Sequence, residues 1–287
     1  MNTKKIPSIG GVGLAAGALA CAGLLSAGAA VSRAATYYTP DFNGPLTLSN
    51  TAGPGVWYTD RAAPGGFTAS GGILSETTDP NQTIAAGHYY TIQGRDYETN
   101  LVGGSPTIAV QLYLPTSWST PATNAATSEA AGLWSEGLTS GGSYVGAYPI
   151  ISFINDPHYV TINNAAGYTG TTQPGFYVYT NGTGTGYYTD FTYVPGAVFG
   201  AWNTLSYTVN VGTGVSYYLN GVNVYNNADT QTAELADASL QVNNYGVAYT
   251  AQWAAVTPVP GSLGLVGVGS LALIGGLALR RRMAKLQ

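Results

Sequence analysis

Between residues 202 and 225 apolar side chains recur at every second position, a period that fits an extended chain buried on one face and fits no helix. Leu205, Tyr207, Val209 and Val211 come first, and Gly212-Thr213-Gly214 then turns the chain. Val215, Tyr217 and Leu219 resume the alternation, and Val222 and Val224 continue it beyond Asn220-Gly221. Asn-Gly suits the type I′ hairpin turn, which needs positive φ at both central positions. The passage therefore predicts three antiparallel strands in a meander. Residues 107–114 alternate in the same way, with Ile108, Val110, Leu112 and Leu114 on one face and Gln111 and Tyr113 on the other. Residues 149–155 and 176–180 read as further short strands bounded by Gly, Asn and Pro. Helical composition is confined to residues 122–134 and 230–238, and neither stretch carries a long apolar stripe. Strands without intervening helices bury alternate residues between two layers, so the expected fold is all-β, a two-sheet antiparallel jelly-roll sandwich.

Charge divides the chain into three parts. Only 8% of the 287 residues are charged, against about 25% in an ordinary soluble domain, which excludes a coiled coil and a charge-driven disordered tail. Lys4, Lys5 and Arg33 stand at the front and Arg280, Arg281, Arg282 and Lys285 at the back. Arg61 and Arg95 are the only basic residues between them, facing all 13 acidic residues, for a formal charge of −11. A surface of that sign repels phosphate backbones, so nucleic acid is excluded as a partner. The single cysteine, Cys21, lies near the front, so the middle has neither a disulfide nor a Cys-based metal site.

Lys4 and Lys5 precede an uncharged Gly/Ala/Leu run and then small residues, the pattern of a signal peptide over residues 1–35, with signal-peptidase cleavage after Ala29 or Ala34. Residues 261–279 are uncharged and long enough to span most of a bilayer core of about 30 Å. By the positive-inside rule Arg280, Arg281 and Arg282 stay in the cytoplasm and the domain at 36–256 faces outward.

The order Thr257-Pro258-Val259-Pro260-Gly261-Ser262, an apolar Gly/Leu/Ala stretch and Arg280-Arg281-Arg282 at the end resembles the PEP-CTERM sorting tail of bacterial surface proteins, here over residues 257–287. Val259 stands where that family has glutamate. The resemblance implies an exosortase-type sorting enzyme acting near Pro258-Val259-Pro260. It also implies inner-membrane anchoring during sorting, followed by a place at the cell surface or in an extracellular biofilm matrix.

Within the domain, Trp202-Asn203-Thr204-Leu205, a glycine turn and Tyr218-Leu219-Asn220-Gly221 resemble the hairpin of laminin-G and concanavalin A-like lectin/glucanase domains. That likeness implies a concanavalin A-like sandwich that binds extracellular polysaccharide on a sheet face or rim. It requires no cofactor, though such domains often hold one structural calcium, for which Asp79, Asp96, Asp156 and Asp190 are the candidate ligands.

A glycosidase on this scaffold needs two carboxylates roughly 5 to 5.5 Å apart for the retaining mechanism. The family's Glu-x-Asp-x-x-Glu pattern is absent, and Asp96 and Glu98 are the nearest local pair, on one face of an extended segment with Arg95 and Tyr97 on the other. Asp156-Pro157-His158 reads as a turn. Tyr177, Tyr179, Tyr218 and Tyr225 are expected on strand faces opposite the aliphatic residues, among Thr, Ser and Asn, where their rings can stack on sugar C–H faces. Trp118, in a Pro-bounded loop between two serines, is the expected exposed tryptophan, whereas Trp57, Trp134, Trp202 and Trp253 suit the core or a sheet edge. The leading expectation is a non-catalytic exported protein that binds exopolysaccharide or a surface partner. The alternatives are a glycoside hydrolase or lyase on the same fold and a purely structural envelope protein.

Overall fold

A computed structural model describes residues 37–59, 61–82, 92–145, 148–155, 173–179 and 191–257. The leader, the sorting tail with Pro258, Val259 and Pro260, and Asp156, His158 and Asp190 lie outside the described residues. Among the described residues no helix is long and apolar enough to cross a membrane.

Two sheets make up the fold. The first runs in the order β15 (Val222–Asn227), β14 (Gly214–Leu219), β13 (Ala201–Asn210), β7 (Thr107–Leu114), β17 (Thr250–Ala254), β5 (Ile73–Thr77) and β4 (Gly66–Ser70), with the short β1 (Tyr37–Tyr38) parallel to β7. The second runs β12 (Phe191–Val194), β11 (Gly175–Tyr179), β10 (Ile150–Ile154), β8 (Ala130–Trp134), β16 (Glu234–Asn243), β6 (Ile92–Val102), β3 (Trp57–Tyr58) and β2 (Leu48–Ser49), with β9 (Gly137–Leu138) beside β16. Successive strands cross repeatedly from one sheet to the other, as β5, β6 and β7 do, which is the sandwich connectivity expected of alternating strands.

One interior joins the sheets. Ile108, Val110, Leu112 and Leu114 of β7 and Leu205, Tyr207 and Val209 of β13 meet Leu133 of β8, Phe153 of β10, Val178 of β11 and Leu240 of β16. The meander forms as its alternation requires. Asn220 and Gly221 both take positive φ, 52° and 78°, and the Asn220 side chain accepts a hydrogen bond from the Thr204 N–H at 2.8 Å. At Gly214, with φ of 133°, a Cβ would collide with the Asn227 carbonyl across the hairpin, so only glycine fits.

Several sequence expectations are corrected. Val211 does not point inward: it lies in the turn and is 49% exposed, and Val222 at the far hairpin is 64% exposed. A bulge between Tyr217 and Tyr218 slips the β14–β15 register, so Tyr225 pairs with Tyr217 and packs against the core instead of facing outward. Residues 230–238 are not helical but lead into β16, and residues 122–134 hold one short 3-10 turn (Ala125–Thr127) before β8. Trp118 is not exposed. It sits in the 3-10 turn Thr116–Ser119, 3% exposed, stacked on Phe153 at 5.3 Å and edge-on to Tyr249 at 5.9 Å, because an indole beside a sheet opening gains more from apolar contact than from water.

Polar groups also enter the interior. Glu76 of β5 is fully buried, and its Oε2 accepts the Trp253 indole N–H at 2.9 Å. Burial pushes its carboxyl up to about 8, with the Trp253 hydrogen bond and Arg95 acting against that rise. Arg95 points into the same interior, donates to the Ser49 and Trp57 carbonyls at 3.0 and 3.2 Å, and lies over the Phe67 ring. Ser135 joins the sheets from the other side, within 2.5 Å of the Tyr207 hydroxyl and of the Asp237 carbonyl.

Candidate functional site

The two outer faces of the sandwich differ in charge. Among the described residues, the only charged one in the strands of the first sheet is Glu76, and it points inward. Outward stand Thr107, Gln111 and Tyr113 of β7, Trp202, Thr204, Ser206, Thr208 and Asn210 of β13, Ser216 and Tyr218 of β14, and Gln252 of β17. Their inward neighbours are buried while most of these are half-buried, so strand periodicity alone puts the hydroxyls, amides and rings on one open face.

Aromatic side chains organise that face. Tyr113 and Trp202 are direct cross-strand partners, with ring centroids 5.5 Å apart and planes tilted by 59°. Gln252 of β17 also pairs with Tyr113, and Gln111 donates to the Thr204 hydroxyl at 3.4 Å beside them. Tyr218 is the partner of Ser206, four residues beyond Trp202 along β13, which sets it roughly 14 Å from the pair at the usual strand rise. Hydroxyls are pinned to one another across strands: Thr107 to Thr208 at 2.9 Å and Thr77 to Thr250 at 2.8 Å. Such a face can stack against the C–H surface of a sugar ring and pair with its hydroxyls without displacing any counterion.

The outer side of the second sheet carries carboxylates, of which Asp96 and Asp237 are buried, at 3% and 4% exposure, and Glu98 is half-buried. Asp96 and Glu98 lie on one outer face of β6, as their spacing predicts, while Arg95 and Tyr97 face inward. Glu98 stands directly opposite Asp237 of β16, and Asp96 opposite Ser239 and beside Tyr58 of β3. The β16–β6 register shifts between Leu235 and Asp237, where two steps along β16 match three along β6, and the Asp237 Oδ1 accepts the Glu136 N–H at 2.9 Å. Burial raises the Tyr58 hydroxyl above its ordinary value, and Asp237, Asp96, Glu136 and Glu98 all add to the rise. A crevice of about 10 Å³, room for one water molecule, is lined by Arg61, Ile92, Gly94, Asp96, Ser239 and Gln241. At its side Trp134 carries the Arg61 guanidinium 4.3 Å from its ring centre and the Tyr148 ring stacked at 5.3 Å.

The sequence candidates therefore scatter. Tyr177 and Tyr179 are on the outer face of β11, as expected, but they are buried, at 2% and 9% exposure. Tyr193 packs against Tyr177, and Phe191 against Tyr179. Tyr218 lies on the opposite sheet, Tyr225 is half-buried against the core and Trp118 is buried, so these five residues form no single wall. Asp79 closes a turn: its Oδ1 accepts the Asn81 N–H at 3.0 Å, and its backbone is clamped by the Gln93 side chain. Among the described residues no group of three or more His, Cys, Asp or Glu side chains could hold a metal ion, and Asp96 is not joined there by Asp79. Sequence reasoning missed Tyr113 and Trp202 as a pair, and Asp237 as the partner of Glu98. The outward phase of Tyr113 was legible, but its neighbour depends on which strands pair.

Glu129, half-buried at the start of β8, is pushed up to about 7 by burial, against hydrogen bonds from Asn155 at 2.6 Å and from Trp118. It binds the loop that holds Trp118 and is remote from the carboxylates of β6 in the ladder.

No family model matches the sequence, and no curated protein matches it. Among solved structures the chain is similar to a Bacillus licheniformis beta-glucanase, at a TM-score of 0.41 and 12% identity over 79% of this chain and 100% of that one. It is also similar to the carbohydrate-binding module CBM66 from Bacillus subtilis, at 0.36 and 12% over 73% and 96%. A sialidase matches at 0.37 and 7% identity, where the chain spans only 16% of that protein's length. These are distant likenesses, and the two-sheet architecture stands on its own ladders.

Proposed function

We propose that this chain is an exported, non-catalytic surface or matrix protein that binds a neutral, hydroxyl-rich polysaccharide on the open face of its first sheet. The observation that supports the reading is the Tyr113–Trp202 pair on a sheet face without a charged side chain. An uncharged face gives an anionic polymer no counter-charge and a neutral one no electrostatic penalty. Two rings side by side offer a platform for sugar rings, and Gln111, Thr204, Ser206 and Gln252 supply donors and acceptors around it. Binding of the full-length chain, in mild detergent, to soluble neutral glucans tests this. Wild type is expected to bind, with Trp202→Ala and Tyr113→Ala each weakening it at least fivefold. Unchanged affinity in both variants, or no binding to any neutral polymer, overturns the reading.

Export rests on the leader at 1–35, and sorting on the tail at 257–287 that resembles the PEP-CTERM type. Mass spectrometry of the mature protein checks both, with a new N-terminus at Ala30 or Ala35 and loss of the tail beyond the Pro258-Val259-Pro260 box expected. An intact C-terminus on the surface-exposed protein would remove exosortase from the account.

A hydrolase is the second reading, supported by Asp96, Glu98 and Asp237 on one face of the second sheet. It requires new reducing ends from a glycan substrate that disappear in both Glu98→Gln and Asp237→Asn.

A further inference from the structure

We propose that one end of the sandwich, the end carrying Tyr37, Val102, Tyr144 and Val211, rests on the headgroups of the bilayer that residues 261–279 span while the tail is attached, an inference that depends on the sorting tail of the reading above. Strand register gathers these four side chains. Tyr37 pairs with Thr107, the first residue of β7, and Thr107 pairs with Thr208 of β13, just before the turn that holds Val211. The Val209 N–H donates to the Pro106 carbonyl at 2.9 Å, which ties the loop before β7 to the end of β13. Val102 closes β6 ahead of that same loop and pairs with Glu234, whose other neighbour, Leu138, bridges to Tyr144. Among the described residues seven large apolar side chains are exposed, and these are four of them. Single exposed apolar groups are ordinary on a protein surface, but four sharing one end mark a contact.

The length of chain beyond the domain names the partner. β17 runs antiparallel to β7, toward Thr107, and the Val256 N–H donates to the Thr39 hydroxyl at 2.9 Å, so the chain leaves the domain close to Tyr37. Only Thr257, Pro258, Val259 and Pro260 separate Val256 from Gly261, where the uncharged stretch begins. Those five Cα-to-Cα steps reach at most about 18 Å when fully extended. The headgroup layer occupies roughly 5 to 8 Å of that distance. The tether therefore holds this end of the domain beside the lipid surface, and any bend in it brings the two together.

The side chains suit that surface. Tyr37 and Tyr144 each combine an apolar ring with a polar tip, the combination that settles at headgroup level, while Val102 and Val211 favour the apolar boundary beneath it. Glu234 and Asp229, the latter two residues beyond the Asn227 that pairs with Val215, give this end negative charge. The domain's two arginines lie elsewhere, Arg61 over Trp134 and Arg95 against the Ser49 and Trp57 carbonyls. With no cation to face an anionic headgroup, the fit is to a zwitterionic surface.

Fluorescence quenching in phosphatidylcholine vesicles tests the contact, using the mature chain with residues 257–287 still attached. Cys21 leaves with the leader, so a cysteine introduced as Val211→Cys or Val102→Cys is the single site for an environment-sensitive dye. Val198→Cys is the control, exposed at the opposite end near Gly200, whose N–H bonds the Leu114 carbonyl at the close of β7. Headgroup spin-labelled lipid is expected to quench the dye at least threefold more strongly at Val211→Cys and Val102→Cys than at Val198→Cys. Replacing half of the lipid by phosphatidylglycerol should reduce that excess, and an increase would overturn the fit to a zwitterionic surface. Flotation of the chain with the vesicles after an alkaline wash shows whether the tail is inserted. A chain that does not float overturns the tail reading and this inference with it. A chain that floats but shows no excess quenching at either site overturns this inference alone, and a concentration-dependent dimer in that case assigns this end to a second copy of the chain.

Discussion

Tyr113 and Trp202 face each other across β7 and β13, ring centroids 5.5 Å apart, on the side of the sandwich where no strand carries an outward charge. Removing either ring is expected to reduce glucan affinity by roughly 1–2 kcal/mol, about 5- to 30-fold. Both side chains are half-buried outside the core, so the melting temperature should stay near that of wild type. Affinity electrophoresis beside a thermal melt separates the two effects.

Glu76 makes stability depend on pH in a stated direction. Its carboxyl, ordinarily 4.5, is held at about 8 in the folded protein by burial. Below pH 4.5 both folded and unfolded chains carry the proton. Between that value and about 8 only the folded chain does, so stability falls as pH rises through this window and then levels. Glu76→Gln keeps an acceptor for Trp253 and removes the titration. Its melting temperature at pH 8 is expected to exceed wild type by roughly 5 °C, with little difference at pH 4, and an unchanged pH profile would refute the assignment.

Trp118 is a core residue, and Trp118→Ala is expected to destabilise the fold by about 3–5 kcal/mol in chemical denaturation. An exposed loop tryptophan would change stability by no more than about 0.5 kcal/mol. The measurement therefore decides between the buried position and the loop position that Ser117 and Ser119 suggest.

Tyr249 closes the ladder between β8 and β16. Its hydroxyl accepts the Asn243 N–H at 2.9 Å and the Ala130 N–H at 3.2 Å, and lies 2.6 Å from the Asn243 carbonyl. Tyr249→Phe leaves these backbone groups without that partner. A loss of about 1–3 kcal/mol is expected, with amide exchange at Ala130 and Asn243 accelerated.

The strands of the meander and β7 were readable residue by residue, because an aliphatic at every second position has one low-energy arrangement, with those side chains inside. The turn at Asn220-Gly221 was readable for a similar local reason, since positive φ twice in succession admits few other dipeptides. Tyr225 was not readable. Its outward phase follows from simple alternation, and one bulge at Tyr217/Tyr218 reverses it, an event set by how two strands pair. Trp118 failed for another reason: its neighbours in the chain are polar, but its neighbours in space are Phe153 and Tyr249.

Local chemistry along the chain determined that this domain is built of strands, which residues of the longest strands point inward, and that acidic groups far outnumber basic ones. Periodicity, turn dihedrals and charge are properties of neighbouring residues, so no knowledge of pairing is needed for them. The tertiary structure alone decided that the charge is sorted, with one sheet's outer face left neutral and the other collecting Asp96, Glu98 and Asp237. It also decided that Tyr113 meets Trp202. Both depend on strand order and register, which arise from long-range packing between segments about 90 to 140 residues apart.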